Sequence, residues 1–460
     1  MSDVGYTGNM PALEEINERL AAIKEEDEDP KTWDYIYDVS PTGEETSDSG
    51  ALEVSSSVEV LRSERSSFAE PEPLVAVIGV GYVGEHLTDV FSRCFNVLGY
   101  DVSETRVKDL AAKYYGNERV RITSDAKDLR GASHFLISVP TLLKEDKTVD
   151  TSYLESALAT VEKQAAPGST VVIESSVAVG MTRALLGPLA KRKGLFAGMS
   201  PERVDPGRTE PPAYAIPKII SGLDDVAPGS LESIKKLYST AFEQVVTVSK
   251  PEVAEITKLY ENCQRMICIA YANEMANACE PFGIDPYEVS NAAATKPFGY
   301  MPYSPGLGVG GHCIPVNPYY LLSNSVFPLL QAASERMYAR PAEIGECIID
   351  ELYSKRTGED IPRVLVVGMG FKRGQSHLVN SPGLELARSL AKSEKVSVSF
   401  ADPLVSQQAL PNLTRLDEAN WTAEHLEENF DMIVVAFKQD GLDFSVLDNL
   451  VNVQVQMWCA

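Results

Sequence analysis

Residues 74–84 read LVAVIGVGYVG, an apolar run that passes directly into three closely spaced glycines. A continuous apolar run of this kind is typical of a strand buried on both faces of a parallel sheet. Gly79 and Gly81 permit a tight turn and a close approach between the backbone and a ligand, and a helical pattern follows Gly84. The stretch therefore predicts a strand, a glycine turn and a helix.

An acidic residue follows the glycine turn at the sequence separation that is typical of dinucleotide-binding proteins. The next apolar run, 97–100, ends in Asp101, which is 22 residues after Gly79. Strand, GxGxxG loop, helix, strand and acid form the dinucleotide-binding fingerprint, with the pyrophosphate at the helix N-terminus. We expect Asp101 to accept hydrogen bonds from a ribose 2′-OH, which favours NAD over NADP. The alternative is a glycine turn with a structural role only.

Further strands alternate with helical patterns along the chain. The runs 134–140 and 170–174 predict a doubly wound parallel sheet. Thr141 and Ser176 follow these strands, at the sheet edge where ligands bind. The alternative for each hydroxyl is a cap of a loop or helix.

A second α/β unit begins at residues 363–370 and continues through 396–402 and 431–437. Its glycines, Gly368 and Gly370, lack a third partner in sequence. We expect this unit to bind a nucleotide in a different way, or only to pack.

Residues 251–280 form a long helical pattern between the two units. Lys258 and Asn262 are four residues apart, so both point from one face of that helix. The alternative for Lys258 is a solvated side chain. The fold class is therefore α/β, with two doubly wound Rossmann-like domains joined by a long central helix region. The predicted divisions are an acidic, mostly disordered extension (1–73), an NAD-binding Rossmann domain (74–245), a central helical dimerisation domain (246–345) and a C-terminal Rossmann-like domain (346–460).

A second glycine-rich loop, GLGVGGHCIP, occupies residues 306–315 and contains four glycines and Cys313. A thiol at the end of such a loop can be reached by whatever the loop holds. The alternative is a tight turn followed by an inert cysteine.

Composition excludes several classes of protein. The chain of 460 residues carries a formal net charge of −25, which argues against nucleic acid or an anionic membrane as partner. Residues 1–73 contribute 5 − 19 = −14 of this charge, so the remainder is only mildly acidic. The seven cysteines form no CxxC pair and none has zinc spacing with a histidine, which predicts no metal site and a reduced compartment. Without a signal pattern or an apolar run of about 18 residues, we expect a cytoplasmic protein.

Seven motifs occur in chain order: GVGYVG (79–84), SVPT (138–141), ESSV (174–177), SPER (200–203), KLYEN (258–262), GLGVGGHCIPVNPYYL (306–321) and the FK…SP segment (371–382). Together they resemble the UDP-glucose/GDP-mannose dehydrogenase family, over about residues 74–440. GGHCIPV and SPER are closer to the branch that oxidises UDP-N-acetylhexosamines.

The resemblance implies oxidation of the C6 hydroxymethyl of a UDP-sugar to a carboxylate with two NAD⁺, through a thiohemiacetal and a thioester on Cys313. Polysaccharide or glycoconjugate biosynthesis and a homodimer are implied with it. The implied catalytic residues are Cys313, Lys258 beside the developing alkoxide, Asn262 and Ser176 for the water, and Glu202 for proton transfer. The implied cofactor-binding residues are Gly79, Gly81, Tyr82, Val83, Gly84, Asp101, Arg106, Thr141 and Ser176. The implied substrate-binding residues are Glu202, Arg203, Lys258, Asn262, Arg265, Gly308, Gly310 and Lys372, with the UDP-sugar held by the C-terminal domain.

The sequence departs from the family at three positions near these motifs. Ser176 stands for the usual threonine, Asn317 for an aspartate, and Val379 for an arginine. Two alternatives therefore remain open: a catalytically weak NAD- or nucleotide-sugar-binding regulatory protein, and a two-electron dehydrogenase of related fold.

Overall fold

The computed structural model describes residues 72–205, 208, 210–354 and 360–459. The predicted extension, 1–73, lies outside this part of the chain apart from its last two residues. Across the described ranges, no helix combines the length and the apolar character needed to cross a membrane.

The N-terminal unit is built on one eight-stranded sheet. Its strands and those of a small hairpin are β1 (Leu74–Ile78), β2 (Asn96–Tyr100), β3 (Val120–Thr123), β4 (His134–Ile137), β5 (Leu142–Leu143), β6 (Val149–Asp150), β7 (Thr170–Ile173), β8 (Phe196–Met199), β9 (Lys218–Gly222) and β10 (Val245–Thr247). The sheet order is β10-β9-β8-β7-β4-β1-β2-β3, and β5 pairs with β6 outside it. All neighbours are parallel except β8 and β9, which are antiparallel.

Helices cover both faces of this sheet. They are α1 (Tyr82–Phe91), α2 (Glu104–Lys113), α3 (Ser152–Gln164), α4 (Met181–Lys193) and α5 (Ser230–Ala241). Alternate residues of β1 enter opposite cores, with Ala76 and Ile78 in one and Val75 and Val77 in the other. The continuous apolar run at 74–78 therefore reflects a strand that is covered on both sides.

Two long helices dominate the middle of the chain. Helix α6 (Pro251–Cys279) has 29 residues and packs against α9 (Pro328–Ser354). Two shorter helices lie between them in sequence, α7 (Pro286–Ala293) and α8 (Asn317–Leu322). The shared core contains Leu259, Met266 and Met337.

The C-terminal unit has a five-stranded parallel sheet in the order β13-β12-β11-β14-β15. The strands are β11 (Arg363–Val367), β12 (Ser397–Ala401), β13 (Thr414–Arg415), β14 (Met432–Val435) and β15 (Gln454–Met457), and the helices are α10 (Pro382–Lys392) and α11 (Ala423–Asn429). The predicted fold class, two Rossmann-like units joined by a long helix region, is confirmed.

The predicted domain divisions fall inside regular structure. Position 245/246 lies within β10, a strand of the first sheet, and position 345/346 lies within α9. The division into four parts stays a prediction.

The glycine turn of the C-terminal unit, at Gly368 and Gly370, has a third glycine that lies farther along the sequence. A Cβ on Gly84 would lie 2.0 Å from Gly79 O, and a Cβ on Gly383 would lie 2.2 Å from Gly368 O. Gly79 and Gly368 share the left-handed backbone, with φ of 85° and 91°. Gly383 therefore takes the place of Gly84, displaced along the chain because residues 371–381 are inserted before α10.

The acidic residue beside this turn, Asp402, is buried and hydrogen-bonded within the protein. Asp402 Oδ2 accepts the Met369 amide at 2.8 Å, as Asp101 Oδ2 accepts the Val80 amide at 3.0 Å. Gln439 Nε2 also donates to both Asp402 oxygens, and Asp402 is buried, whereas Asp101 is half-buried. Asp402 is therefore not available to a ribose in the way that Asp101 is.

The contact at Gly383 gives a stability prediction. Gly383→Ala should lower the free energy of unfolding by about 1–3 kcal/mol, because the new methyl group overpacks against Gly368 O. Denaturant unfolding followed by tryptophan fluorescence measures this, since Trp421 and Trp458 both lie in the C-terminal unit.

A matched control is Gly187→Ala in helix α4, where a Cβ would meet no atom within 4 Å. Alanine there should be neutral or stabilising by up to about 1 kcal/mol. Equal unfolding midpoints for the two variants would contradict the proposed contact.

Candidate active site

The predicted site segments meet at one edge of the first sheet. Strands β1, β4, β7 and β8 are mutually parallel in register, so the loops that follow them emerge at the same edge. These loops are 79–84, 138–141, 174–177 and 200–205. Ligands of open α/β sheets bind at this carboxyl edge.

The first glycine loop fits a dinucleotide diphosphate. Gly79 turns the chain in a left-handed conformation, and its amide donates to Tyr100 O at 2.8 Å. A Cβ on Gly81 would meet no atom within 4 Å, so the space beside the loop is open. Helix α1 starts at Tyr82 and directs its first amides towards that space. Val83 packs on the core, so its contribution to the site is its backbone.

Asp101 and Arg106 are organised around the same loop. Asp101 accepts the amides of Val80 (3.0 Å) and Ser103 (2.9 Å). Arg106 Nε donates to Val80 O at 2.8 Å, and its guanidinium pairs with Glu85. Asp101 is thus held at the end of β2, as the fingerprint requires. Arg106 stabilises the glycine loop through its hydrogen bond to Val80 O.

The two predicted hydroxyl residues, Ser176 and Thr141, lie in different surroundings. Ser175 Oγ donates to Val139 O at 2.7 Å and joins the two loops, whereas no described residue bonds the hydroxyl of the half-buried Ser176. Thr141 lies near Tyr320 of α8, a buried phenol whose pKa is raised by burial, and Cys313 adds to that rise.

Cys313 is tied to helix α6 through the start of α8. The Asn317 amide donates to Cys313 O at 2.9 Å, and Asn262 Nδ2 donates to Asn317 Oδ1 at 2.6 Å. The Cys313 side chain itself is exposed. Lys258, one turn before Asn262, is buried, and its ammonium has no ion pair or hydrogen bond with any residue that the structure describes. An exposed thiol thus lies on the side of α6 that carries an unpaired ammonium and an amide.

The glycines of the cysteine loop pack against the C-terminal unit. A Cβ on Gly310 would lie 2.9 Å from atoms of Phe371 and Pro382, and one on Gly311 would lie 3.0 Å from the Phe371 ring. The Gly311 amide donates to Val379 O at 3.1 Å, and the Gly306 amide donates to Asn273 Oδ1 at 2.9 Å.

Close packing is therefore one reason for these glycines, besides any approach to a ligand. The amides of Gly308 and Gly310 have no partner among the described residues, so they remain as donors for a ligand.

Val379 is one of the departures from the family, and its main chain holds the cysteine loop through Gly311. Beside it, the rings of His312 and His377 lie 6.3 Å apart. Burial lowers the pKa of His312, and His377 adds to this.

Two cations, Arg265 and Lys372, approach the loop that follows β8, and a third, Arg203, belongs to the loop itself. Lys372 Nζ lies 3.6 Å and Arg265 Nη1 lies 4.0 Å from Asp205 Oδ1. Arg203 is turned away from them, since it donates to Pro217 O (2.8 Å) and Glu261 Oε1 (2.5 Å). Arg265 and Lys372 therefore line this loop from the central helix and the C-terminal unit. The Arg203 bonds that the structure shows serve the protein itself.

Glu202 is anchored by three donors. Its Oε1 accepts the amides of Arg203 (2.7 Å) and Val204 (2.9 Å), and its Oε2 accepts Lys218 Nζ at 3.0 Å. Burial acts to raise the pKa of Glu202, but Lys218 and the two amides outweigh it and hold the pKa below its usual value. Glu202 is therefore ionised at neutral pH.

Sequence reasoning missed Lys218 as a member of this site. The available signal was a lysine at the head of the apolar run KIISGL (218–223), because lysine is almost never fully buried unless it is paired. Glu174 is the first residue of the ESSV motif, and neither Glu174 nor Asp205 was predicted as a site residue.

Comparison with known proteins assigns the family. Two models of the UDP-glucose/GDP-mannose dehydrogenase family match the chain, the NAD binding domain at residues 74–242 and the central domain at residues 252–334. A UDP-N-acetyl-D-glucosamine 6-dehydrogenase of Pseudomonas aeruginosa is 33% identical over 362 residues, which are 73% of this chain and 83% of that protein. A UDP-N-acetyl-D-mannosamine dehydrogenase of Pyrococcus horikoshii is 31% identical over 355 residues, 72% of this chain and 84% of that protein.

Solved structures agree in fold. A UDP-D-ManNAc dehydrogenase of Pyrococcus horikoshii superimposes with a TM-score of 0.71 at 25% identity and covers 84% of this chain and 99% of its own. A UDP-glucose dehydrogenase of Pyrobaculum islandicum has a TM-score of 0.73 at 21% identity, covering 84% and 94%. The family resemblance and the NAD cofactor predicted from the sequence motifs are confirmed. The chain belongs to the UDP-glucose/GDP-mannose dehydrogenase family and is an NAD-dependent nucleotide-sugar dehydrogenase.

Proposed function

We propose that this chain oxidises the C6 hydroxymethyl of a UDP-N-acetylhexosamine to the uronate in a four-electron reaction. The balance is R–CH₂OH + 2 NAD⁺ + H₂O → R–COO⁻ + 2 NADH + 3 H⁺. The observation that carries the proposal is the exposed Cys313 thiol, fixed to the α6 face that bears Lys258 and Asn262. The sugar class is supported by the two relatives named for N-acetylhexosamine substrates.

The residues divide the chemistry between them. When bound at the first glycine loop, with Asp101 beside its ribose, NAD⁺ would supply the hydride acceptor for both oxidations at C6. The Lys258 ammonium stabilises the alkoxide that develops when the C6 hydroxyl loses its proton, because no described carboxylate neutralises it. The Cys313 sulfur adds to the aldehyde as a thiohemiacetal, and loss of the second hydride leaves a thioester. The intermediate stays bonded to the protein while the cofactor exchanges.

Hydrolysis then releases the product. Water attacks the thioester carbonyl, the C–S bond breaks, and the thiol of Cys313 is restored. We assign orientation of this water to Asn262 and Ser176, and acceptance of its proton to Glu202, which is ionised. The uronate leaves as a building block for polysaccharide or glycoconjugate synthesis.

The nucleotide part of the substrate is assigned to the cleft between the cysteine loop and the loop after β8. The free amides of Gly308 and Gly310 are donors for the phosphates or the sugar. Arg265 and Lys372 supply positive charge beside them, and an anionic diphosphate would compete with Asp205 for these cations. Arg203 is proposed as a further contact that requires its bond to Glu261 to open.

We assign the protein to the cytoplasm. All seven cysteines are free thiols. Free thiols, including a nucleophilic one, are retained most readily in a reducing compartment.

The mechanism is tested by Cys313→Ser. The unmodified protein should form two NADH per sugar with UDP-GlcNAc or UDP-ManNAc, and less with UDP-glucose or GDP-mannose. Cys313→Ser should form at most one NADH per sugar, because the thiol is needed only after the first hydride has left. We expect kcat to fall by roughly 10³- to 10⁶-fold. NADH absorbance and mass spectrometry of the sugar measure both.

The matched control is Cys347→Ser, which alters another exposed thiol. It should keep two NADH per sugar. Full four-electron turnover by Cys313→Ser would contradict the mechanism. One NADH per sugar from the unmodified protein would instead support the two-electron dehydrogenase.

Asn317 is the observation that favours the second candidate, a catalytically weak binding protein. The family aspartate could carry charge, whereas this amide cannot. Its Oδ1 nevertheless accepts the Asn262 hydrogen bond, as a carboxylate oxygen would. The geometry of the site is thus retained while its charge is lost.

We predict that Asn317→Asp raises kcat, by up to about tenfold, which corresponds to ~1.4 kcal/mol at the transition state. The restored carboxylate can accept a proton and still bond Asn262. Steady-state NADH production measures the effect, and Asn273→Asp, at a buried position of α6, controls for a new buried acid. An unchanged or lower kcat would mean that the pocket has adapted to the amide.

A homodimer is proposed from the outer face of α6. Tyr260 and Tyr271 on this face are 73% and 61% exposed, and Ile256 and Met275 extend the same stripe. The spacings of 4, 11 and 4 residues keep all four on one side of the helix. A second copy of the chain can cover the stripe with its own, as two-fold interfaces do.

Tyr271→Glu should therefore shift the protein from dimer to monomer in light scattering at micromolar concentration. The charge would be buried between two apolar stripes without a partner. Tyr115→Glu is the control, because Tyr115 is 92% exposed in a separate turn. A Tyr271→Glu protein that remains dimeric would place the interface elsewhere.

A further inference from the structure

Glu202 is bonded to a buried cluster of three residues, Glu174, Lys218 and Tyr238, which have no role in the proposed mechanism. Lys218 Nζ donates to Glu174 Oε2 at 2.7 Å, to Glu202 Oε2 at 3.0 Å and to Pro201 O at 3.3 Å. Tyr238 of α5 donates its hydroxyl to the other oxygen of Glu174. Glu174, Lys218 and Tyr238 are all buried.

The sheet topology explains how a lysine reaches this edge. Glu174 follows β7, and Glu202 comes shortly after β8, so both lie at the carboxyl edge of the parallel strands. Strand β9 is antiparallel to β8, so its first residue, Lys218, lies at that same edge. A parallel β9 would have placed Lys218 at the opposite edge.

All three N–H groups of Lys218 are used within the protein. Lys218 therefore cannot bind substrate in this arrangement. Its ammonium instead joins a half-buried carboxylate, Glu202, to a fully buried one, Glu174.

Two carboxylates share one ammonium, so the cluster can hold one more proton near neutrality. Burial, and to a smaller extent the charge of Glu202, raise the pKa of Glu174 to about 7 against the attraction of Lys218. The pKa of Glu202 is lowered. The extra proton therefore resides on Glu174. The charged and titratable groups that face Glu174 are Lys218 on β9, Glu202 after β8 and Tyr238 on α5.

We propose that Glu174 and Lys218 are positioning residues that set the basicity of Glu202: Lys218 fixes the direction of the Glu202 carboxylate, and ionisation of Glu174 divides the ammonium between two anions. This inference rests on the role proposed for Glu202 in thioester hydrolysis. When Glu174 is protonated, Glu202 is the only anion that Lys218 neutralises. The ammonium then stabilises the ionised form of Glu202 more strongly and makes it a weaker base. When Glu174 is ionised, Glu202 holds a proton more readily and accepts one from water more effectively.

Glu174→Gln tests this arrangement. The glutamine retains the shape of Glu174 and an acceptor for Lys218, but it cannot ionise. Thioester hydrolysis should therefore be similar to that of the unmodified protein at pH 6 and slower at pH 8. We expect hydrolysis at pH 8 to be roughly threefold to tenfold slower, because the glutamine leaves the ammonium of Lys218 to Glu202 alone and weakens that carboxylate as a general base.

The readout is the fraction of Cys313 peptide that carries the acyl adduct after acid quenching at steady state. At pH 8 the adduct should accumulate in Glu174→Gln, with KM for NAD⁺ and for the UDP-sugar unchanged. A second variant, Tyr238→Phe, removes a donor that stabilises ionised Glu174, so it should shift the pH dependence of hydrolysis upward.

Glu255→Gln is the matched control. Glu255 is another buried carboxylate, but it accepts the amides of Gly180 and Thr182 and has no bond to Glu202. It should not make the adduct fraction depend more strongly on pH. A constant ratio between Glu174→Gln and the unmodified protein from pH 6 to 8 would overturn the proposal.

A second measurement does not require activity. The folded-state pKa of Glu174 is raised, so its stabilising contribution is complete below the unfolded-state pKa and is lost as pH rises towards about 7. The Tm of the unmodified protein minus that of Glu174→Gln should therefore fall between pH 5 and 8. A flat difference overturns the proposal. If no UDP-sugar yields NADH, the proposed function fails, and a falling Tm difference still supports proton uptake by Glu174.

Discussion

The hydrogen bond from Asn262 Nδ2 to Asn317 Oδ1, at 2.6 Å, is the constraint on which the candidate site depends. Asn262 belongs to a helix of 29 residues, about 43 Å long, whose packing fixes its position. Asn317 begins α8 and bonds the carbonyl of Cys313, so the thiol is located relative to the helix and not to a flexible loop. The other end of the loop is held in the same way. The Gly306 amide donates to Asn273, and the buried Arg340 donates to the Gly306 carbonyl.

Steric limits then decide where the C-terminal unit meets this loop. Gly310 and Gly311 leave room for Phe371, and their missing side chains let the two backbones come within hydrogen-bonding distance. The segment 371–381 that contacts the loop is the same segment that separates Gly383 from Gly368 and Gly370. One insertion therefore breaks the sequence signature of the second glycine turn and supplies the surface that supports the cysteine loop.

The sequence predicted the parts of this structure that depend on short-range pattern. The run at 74–84, the acid at 101 and the helical pattern from 251 each carry their signal within a few turns or strands, and each was found. Gly383 could not be recognised because its meaning comes from a carbonyl 15 residues away. Lys218 was missed because its place depends on the one antiparallel pairing in the sheet, which no local pattern encodes. The pairing of Arg203 with Glu261 depends likewise on contacts between distant segments.

The exposure of Cys313 has a consequence for redox chemistry. The exposed thiol of Cys313 is open to peroxides, which convert thiols first to sulfenic acid, reversibly, and then to sulfinic acid, in most proteins irreversibly. Cys263 on α6 is protected from this, because it is buried and burial raises its pKa to about 12. Peroxide can therefore reach the sulfur that the proposed chemistry needs, as it can reach the other exposed thiol, Cys347. Oxidation of Cys313 would stop the proposed reaction until a reductant restores the thiol.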